Sequence, residues 1–166
     1  MLFSLLLAGL ALAEPEMIPV EVFEKAKSTD ADASGLEIPL RDGGTFKLAE
    51  HKGHKVLLSF WASWCTPCRR ELPALATWAK SHPDITILAV NVDRGQTDAN
   101  KFLDAVHFDL PVAFDPNAEH LGHFGVTSMP TMFLFDGSGS LVWRHTGFSE
   151  EKGFSDLETF LAGGGK

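Results

Sequence analysis

The only thiols in this chain of 166 residues are Cys65 and Cys68, set two residues apart in Trp64-Cys65-Thr66-Pro67-Cys68. A C-x-x-C pair can supply half of a zinc site, staple the chain as an inert disulfide, or cycle between dithiol and disulfide. Zinc wants four ligands, and neither a second C-x-x-C nor a nearby Cys-x-His pair offers the others. A structural disulfide closing so short a loop would constrain little chain entropy. Dithiol redox chemistry is the favoured reading. The apolar run ahead of Trp64 reads as a strand and the residues after it as a helix, so Cys65 falls at a helix N-terminus. Unpaired N–H groups and the helix dipole stabilise a thiolate there. Cys68, three residues on, faces the same side and can close a short disulfide with Cys65. Pro67 suits an early helical position, where its missing N–H costs little.

The elements that must hold this pair follow from the hydrophobic pattern. Val56-Leu57-Leu58-Ser59-Phe60-Trp61 is nearly continuous in apolar residues, as a central strand covered on both faces should be. Leu72, Leu75, Ala76 and Ala79 then line one helical face, with Pro73 expected to kink the helix and Pro83-Asp84 to end it. Ile85 to Val92 reads as a second buried strand, parallel to the first because a helix joins them. Further on come a helix from about Thr97 to Val106, a short strand at Pro111 to Phe114 and a helical turn at Glu119 to Phe124. Two hairpins are signalled, by Asp42-Gly43-Gly44 between Leu36–Leu40 and Thr45–Leu48, and by Asp136-Gly137-Ser138-Gly139 between Thr131–Phe135 and Leu141–His145. A last amphipathic helix carries Phe154, Leu157, Phe160 and Leu161. The pattern predicts an α/β domain over 35–162, a mixed sheet with helices on both faces, and a flexible tail at 163–166.

Composition limits the function classes. Lys and Arg total 14 against 22 Asp and Glu, a formal net charge of −8. Nucleic acid is therefore not an expected partner, since phosphate binding needs concentrated positive charge. Leu2 to Leu12 is almost wholly apolar and ends in Ala11-Leu12-Ala13, which reads as a signal peptide over 1–13 although no Lys or Arg precedes it. A short buried helix and a membrane anchor are the other readings of the same segment. Residues 14–34 read as a linker, with a short helical turn around Val20 to Lys27. Export to an oxidising compartment strengthens the redox reading of the cysteines.

Phe60-Trp61-Ala62-Ser63-Trp64-Cys65-Thr66-Pro67-Cys68-Arg69-Arg70-Glu71-Leu72-Pro73 resembles the active-site stretch of thioredoxin-fold proteins. More specifically it resembles the exported TlpA/ResA/CcmG(DsbE)-like thiol–disulfide oxidoreductases. Gly125-Val126-Thr127-Ser128-Met129-Pro130-Thr131 is similar to the loop before a cis-proline in that family. The likeness continues through Asn91-Val92-Asp93, Leu110-Pro111-Val112, Phe135-Asp136 and Gly147, and covers Gly35 to Ala162. It implies a thioredoxin-like fold with an N-terminal β-hairpin.

The resemblance also implies roles. Cys65 attacks a substrate disulfide and Cys68 resolves the mixed disulfide, with no cofactor besides the Cys65–Cys68 pair. A cis Met129–Pro130 bond lies against the pair, and Trp64, Met129 and Pro130 contact the substrate. Glu71 relays protons near the buried thiol. Ser59 departs from the family, which carries an acid or Asn at this position; serine is no general base, so proton management shifts toward Glu71 or water. Thr66 and Pro67 set the redox poise, and the lack of a His between the cysteines points to a reductant. The family further implies electrons from a membrane thiol transporter of the DsbD/CcdA type, clients such as apocytochrome c or a copper-oxidase subunit, periplasmic or otherwise exported localisation, and a monomer. A copper-binding chaperone on the same fold, or a thiol oxidant or isomerase, are the alternatives. His51-x-x-His54 and His120-x-x-His123 have no added thiol or carboxylate at obvious ligand spacing, so no metal site is expected.

Overall fold

The computed structural model describes residue 33 and residues 35–164. The predicted signal peptide, most of the linker and the helical turn around Val20 lie outside the described residues. Ala33, near the end of the predicted linker, is buried against the N-terminal hairpin.

The hairpin comprises β1 (Glu37–Pro39) and β2 (Thr45–Lys47), paired antiparallel. A 3-10 turn at Leu48–His51 leads into β3 (Lys55–Trp61), α1 (Cys68–Ala79), β4 (Ile85–Asn91), α2 (Gln96–Ala105) and β5 (Val112–Phe114). The chain then forms α3 (Glu119–His123), β6 (Thr131–Phe135), β7 (Leu141–Thr146) and α4 (Ser155–Ala162). The main sheet is mixed and ordered β5-β4-β3-β6-β7. As expected, β3 and β4 run parallel, while β6 is antiparallel to β3. The hairpin is tied to the far edge by Leu40, which bridges Ala113, and by the Arg41 N–H, which donates to the Val112 carbonyl at 2.8 Å.

β3 is central, and Val56 to Trp61 are all buried, so its apolar run reflects cover on both faces. Successive side chains alternate between those faces. Val56, Leu58 and Phe60 join the hairpin, α3 and the aromatic residues of β6 in one cluster. Leu57 and Trp61 project to the opposite face, into clusters shared with α1, α2 and α4. Ser59 shares the register of Leu57 and Trp61, and so points toward the face covered by α1.

α1 continues through Pro73 without interruption. The ring removes the bond to the carbonyl of Arg69, an exposed residue in the first turn, where the loss is least costly. One boundary differs from expectation: the helix begins at Cys68, with Pro67 as its cap residue, and Cys65 lies in the turn ahead of it. Helix starts shift by a residue or two with the criterion used, but the sulfur position, described next, restores the expected chemistry.

Candidate active site

Where β3 ends, the chain turns sharply. The Cys65 N–H donates to the Ala62 carbonyl at 3.1 Å, and the Arg69 and Glu71 N–H groups return to the Thr66 and Pro67 carbonyls. This fold brings Cys65 and Cys68 into a disulfide with Cα atoms 5.4 Å apart. The Cys68 N–H, first of the helix, points at Cys65 Sγ at 3.3 Å. Once the bond is reduced, the same N–H and the helix dipole behind it favour negative charge on Cys65. The two cysteines are not equivalent to solvent. Cys65 retains 4% exposure and Cys68 none. An incoming disulfide therefore meets Cys65.

The turn is held from β4. Asp93 accepts the Ser63 N–H at 2.8 Å and the Ser63 hydroxyl at 3.0 Å. The Asn91 side-chain amide donates to the same carboxylate at 2.8 Å, and the Asp93 N–H returns to Asn91 Oδ1. Four bonds thus fix the segment that carries Trp64 and Cys65. Sequence reasoning noted Asn91-Val92-Asp93 only as part of a resemblance and assigned it no task; an Asn-x-Asp at the end of a buried strand beside the active-site turn was the available signal.

Glu71 shares the buried face of α1 with Cys68 and is completely inaccessible. The Ser59 hydroxyl donates to Glu71 Oε1 at 2.7 Å, while Oε2 has no hydrogen-bond partner among the described residues. Burial raises the Glu71 carboxyl to a pKa of about 7, against a smaller lowering by Ser59. The carboxyl therefore titrates near neutrality. The sequence reading of Ser59 as no general base left out its capacity to donate, which it uses on Glu71.

The Met129–Pro130 bond is cis. Pro130 is buried and its carbonyl accepts the Gly147 N–H at 2.7 Å. Gly147 takes φ +92°, a conformation that favours glycine. Thr131 anchors the loop by donating to the Ser128 carbonyl at 2.7 Å. Met129 packs against the cluster containing both cysteines. Trp64 is 70% exposed, the large apolar side chain most open to water among the described residues, as a contact surface should be and a core residue should not. Met129 thus meets the cysteine cluster, with Pro130 and Trp64 as the chain neighbours of Met129 and Cys65.

Thr66 and Pro67 are exposed. Arg69 stacks its guanidinium over Phe102 at 4.8 Å, and Arg70 pairs with Glu150 at 3.0 Å in an exposed contact of little energetic weight. The predicted histidine pairs lie elsewhere. His51 stacks on Phe46, and His120 Nδ1 lies 3.3 Å from Asp115 at the start of α3. Among the described residues, no three His, Cys, Asp or Glu side chains form a group able to hold a metal ion.

Residues 24–161 match the Redoxin family. Thiol-disulfide oxidoreductase ResA of Bacillus subtilis (strain 168) is 30% identical over 139 residues, 82% of this chain and 78% of that protein. Sporulation thiol-disulfide oxidoreductase A of the same organism is 31% identical over 96 residues, 55% of this chain and 58% of its own length. A crystal structure of a putative thiol:disulfide interchange protein DsbE from Chlorobium tepidum superposes with a TM-score of 0.70 at 36% identity, covering 76% of this chain and 91% of that one.

Proposed function

The chain belongs to the Redoxin family, among its ResA/DsbE-like thiol–disulfide oxidoreductases, and from that premise we propose that it is an exported reductase of protein disulfides. The observation that carries the mechanism is the asymmetry of the pair. Cys65 keeps a little exposure and its sulfur is backed by the Cys68 N–H, whereas Cys68 is sealed inside. In the reduced protein, Cys65 thiolate attacks one sulfur of a client disulfide, and the other client sulfur leaves with the electron pair. Cys68 then attacks Cys65 Sγ, closing the Cys65–Cys68 bond and releasing the client dithiol. Glu71 takes the Cys68 proton in this step. Trp64, Met129 and Pro130 line the client contact. The pair itself is the only redox group the reaction needs.

Direction is argued from Thr66-Pro67. Cys65 has the helix terminus but no adjacent imidazolium, so its thiolate is less stabilised than in strong oxidants. A less stabilised reduced form makes a better electron donor. Export rests on the apolar Leu2–Leu12 segment, which is short for a spanning helix. Electrons would come from a membrane thiol transporter of the DsbD/CcdA type and pass to apocytochrome c or a copper-oxidase subunit, with the protein acting as a monomer. The test is equilibration with glutathione buffers and quantification of free thiol. We expect a potential nearer thioredoxin, about −270 mV, than DsbA, about −120 mV. A value above roughly −160 mV would make this chain an oxidant on the same scaffold.

A further inference from the structure

The Ser59–Glu71 contact joins β3 to α1 at a completely buried carboxyl on the dithiol side of the sheet. Ser59 is fully buried in the middle of β3, between Ala89 of β4 and Met132 of β6, so its hydroxyl has few choices of partner. It spends its single hydrogen on Glu71 Oε1 at 2.7 Å. The other carboxyl oxygen, Oε2, is buried and unpartnered among the described residues. An unpartnered buried oxygen is costly, and more so when charged, so its presence in a folded core points to a role in catalysis or redox chemistry. Cys68, the thiol that must lose a proton to resolve the mixed disulfide, occupies the same buried helix face one turn earlier.

We propose that Ser59 is a positioning residue of the exchange reaction: by donating to Oε1 it makes Oε2 the oxygen that carries the proton exchanged with Cys68. This rests on the reading of Glu71 as the proton acceptor for Cys68. In a neutral carboxyl the oxygen that accepts a hydrogen bond is the carbonyl one, so the proton is confined to the other. During resolution, Cys68–SH gives its proton to Oε2 of the Glu71 carboxylate. The resulting thiolate forms the bond to Cys65 Sγ as the Cys65–client bond breaks, and the electron pair leaves on the client sulfur. That client thiolate is then protonated by solvent. Ser59 exchanges no proton in any step.

Few other charges bear on the carboxyl. The inner residues of β3, β4 and β6 on this face are apolar or amide, and α2 presents Ala99, Phe102 and Leu103. The titratable groups of the elements on this side are Cys68 on the same helix, Asp93 beyond β4, already bonded to Ser63 and Asn91, His145 of β7 with its partner Asp156 of α4, His82 just past α1 with its partner Glu158 of α4, and Lys55, which opens β3 in the register of Ser59. Arg69 lies over Phe102 and Arg70 pairs with Glu150.

The test is carboxyl carbon NMR of the oxidised protein, with the Glu71 signal assigned by its loss in Glu71→Gln, alongside the pH profile of mixed-disulfide resolution. Ser59→Ala removes a bond that favours the ionised form, so the Glu71 midpoint should rise by about one pH unit. The resolution profile should rise with it, giving several-fold slower resolution at pH 7. Ser59→Thr keeps the hydroxyl and should return both midpoints to wild type, which separates loss of the donor from damage to the strand. In a Glu71→Gln background, Ser59→Ala should leave resolution unchanged. An unmoved Glu71 midpoint in Ser59→Ala, or an equal slowing in the Glu71→Gln background, overturns the proposal. If instead Glu71→Gln itself leaves the resolution profile intact, the proton-acceptor reading of Glu71 fails and the Ser59 role falls with it.

Discussion

The two faces of the central sheet are built from different materials although they share the same strands. On the hairpin side, Val56, Leu58, Phe60, Leu88, Val90, Phe133 and Phe135 form an apolar layer bordered by Thr86 and the buried Thr131, with Phe60, Phe124 and Phe133 in edge and tilted contact. On the dithiol side, the same strands present Ser59 and Asn91 among Leu57, Trp61 and Ala89, and α1 adds Glu71 and Cys68. Burying polar groups costs stability unless each finds a partner. The apolar face offsets that cost for the other. Period-two alternation lets one strand serve packing on one side and chemistry on the other.

The largest expected effect tests that division at its chemical end. Cys65→Ser should reduce turnover of a protein disulfide such as insulin by at least roughly 10³-fold. Cys68→Ser should still form a mixed disulfide, now unable to resolve, and mass spectrometry of the trapped adduct should place it on Cys65. Equal labelling of both reduced thiols by a brief, substoichiometric alkylation would contradict the asymmetry.

On the apolar face the loss should be of stability alone. Phe133→Ala removes a ring packed against Phe60 and Phe124, and should cost about 3–5 kcal/mol in urea unfolding. The redox potential of the folded variant should match wild type. A shifted potential would show that the two faces are coupled.

Glu71 gives the dithiol face its own signature in pH. Its carboxyl titrates near 4.5 when unfolded but at about 7 when folded, so between those values the folded state holds the extra proton. Stability should therefore fall as pH rises through that window, by ~3 kcal/mol in all, and level off above it. Glu71→Gln should flatten this part of the profile in urea melts run from pH 4 to 9. An unchanged slope would mean that the carboxyl is not held in a low-dielectric site.

Much of this arrangement was legible in the chain because it depends on local rules. A buried strand, a C-x-x-C at its end and an amphipathic helix are each carried by a few consecutive residues, and both hairpins were marked by Asp and Gly at their turns. What escaped were pairings between distant residues. Ser59 and Glu71 are 12 positions apart, and Ser63 and Asp93 are 30 apart; no periodicity reports which polar side chain meets which across a sheet. Helix position alone left open whether Glu71 was solvated, since burial there depends on how α1 sits on β3.

The smallest effect sharpens the comparison most, because it sets like against like. Asp93 and Asp115 each follow a strand, are nearly inaccessible and accept several hydrogen bonds. Asp115, on the hairpin side, takes the N–H groups of Glu119, His120 and Leu121 at 3.0–3.1 Å and so closes the start of α3. Asp93 takes Ser63 and Asn91, and so holds the turn that presents Trp64 and Cys65. Replacing either by Asn keeps size and one acceptor oxygen but replaces the other with a donor. Each substitution should cost about 1–2 kcal/mol of stability, the range for losing a buried bond to a charged acceptor. Function should separate them. Asp115→Asn touches nothing near the sulfurs and should leave the rate of disulfide exchange as it is. Asp93→Asn loosens the segment that aims Cys65, and misplacing a reacting group costs rate even where stability changes little, so exchange should slow several-fold. Stopped-flow measurement of both variants against one protein disulfide decides it. Equal rates in the two would mean that Asp93 only braces the fold, and that the turn holds its shape through the disulfide and α1 alone.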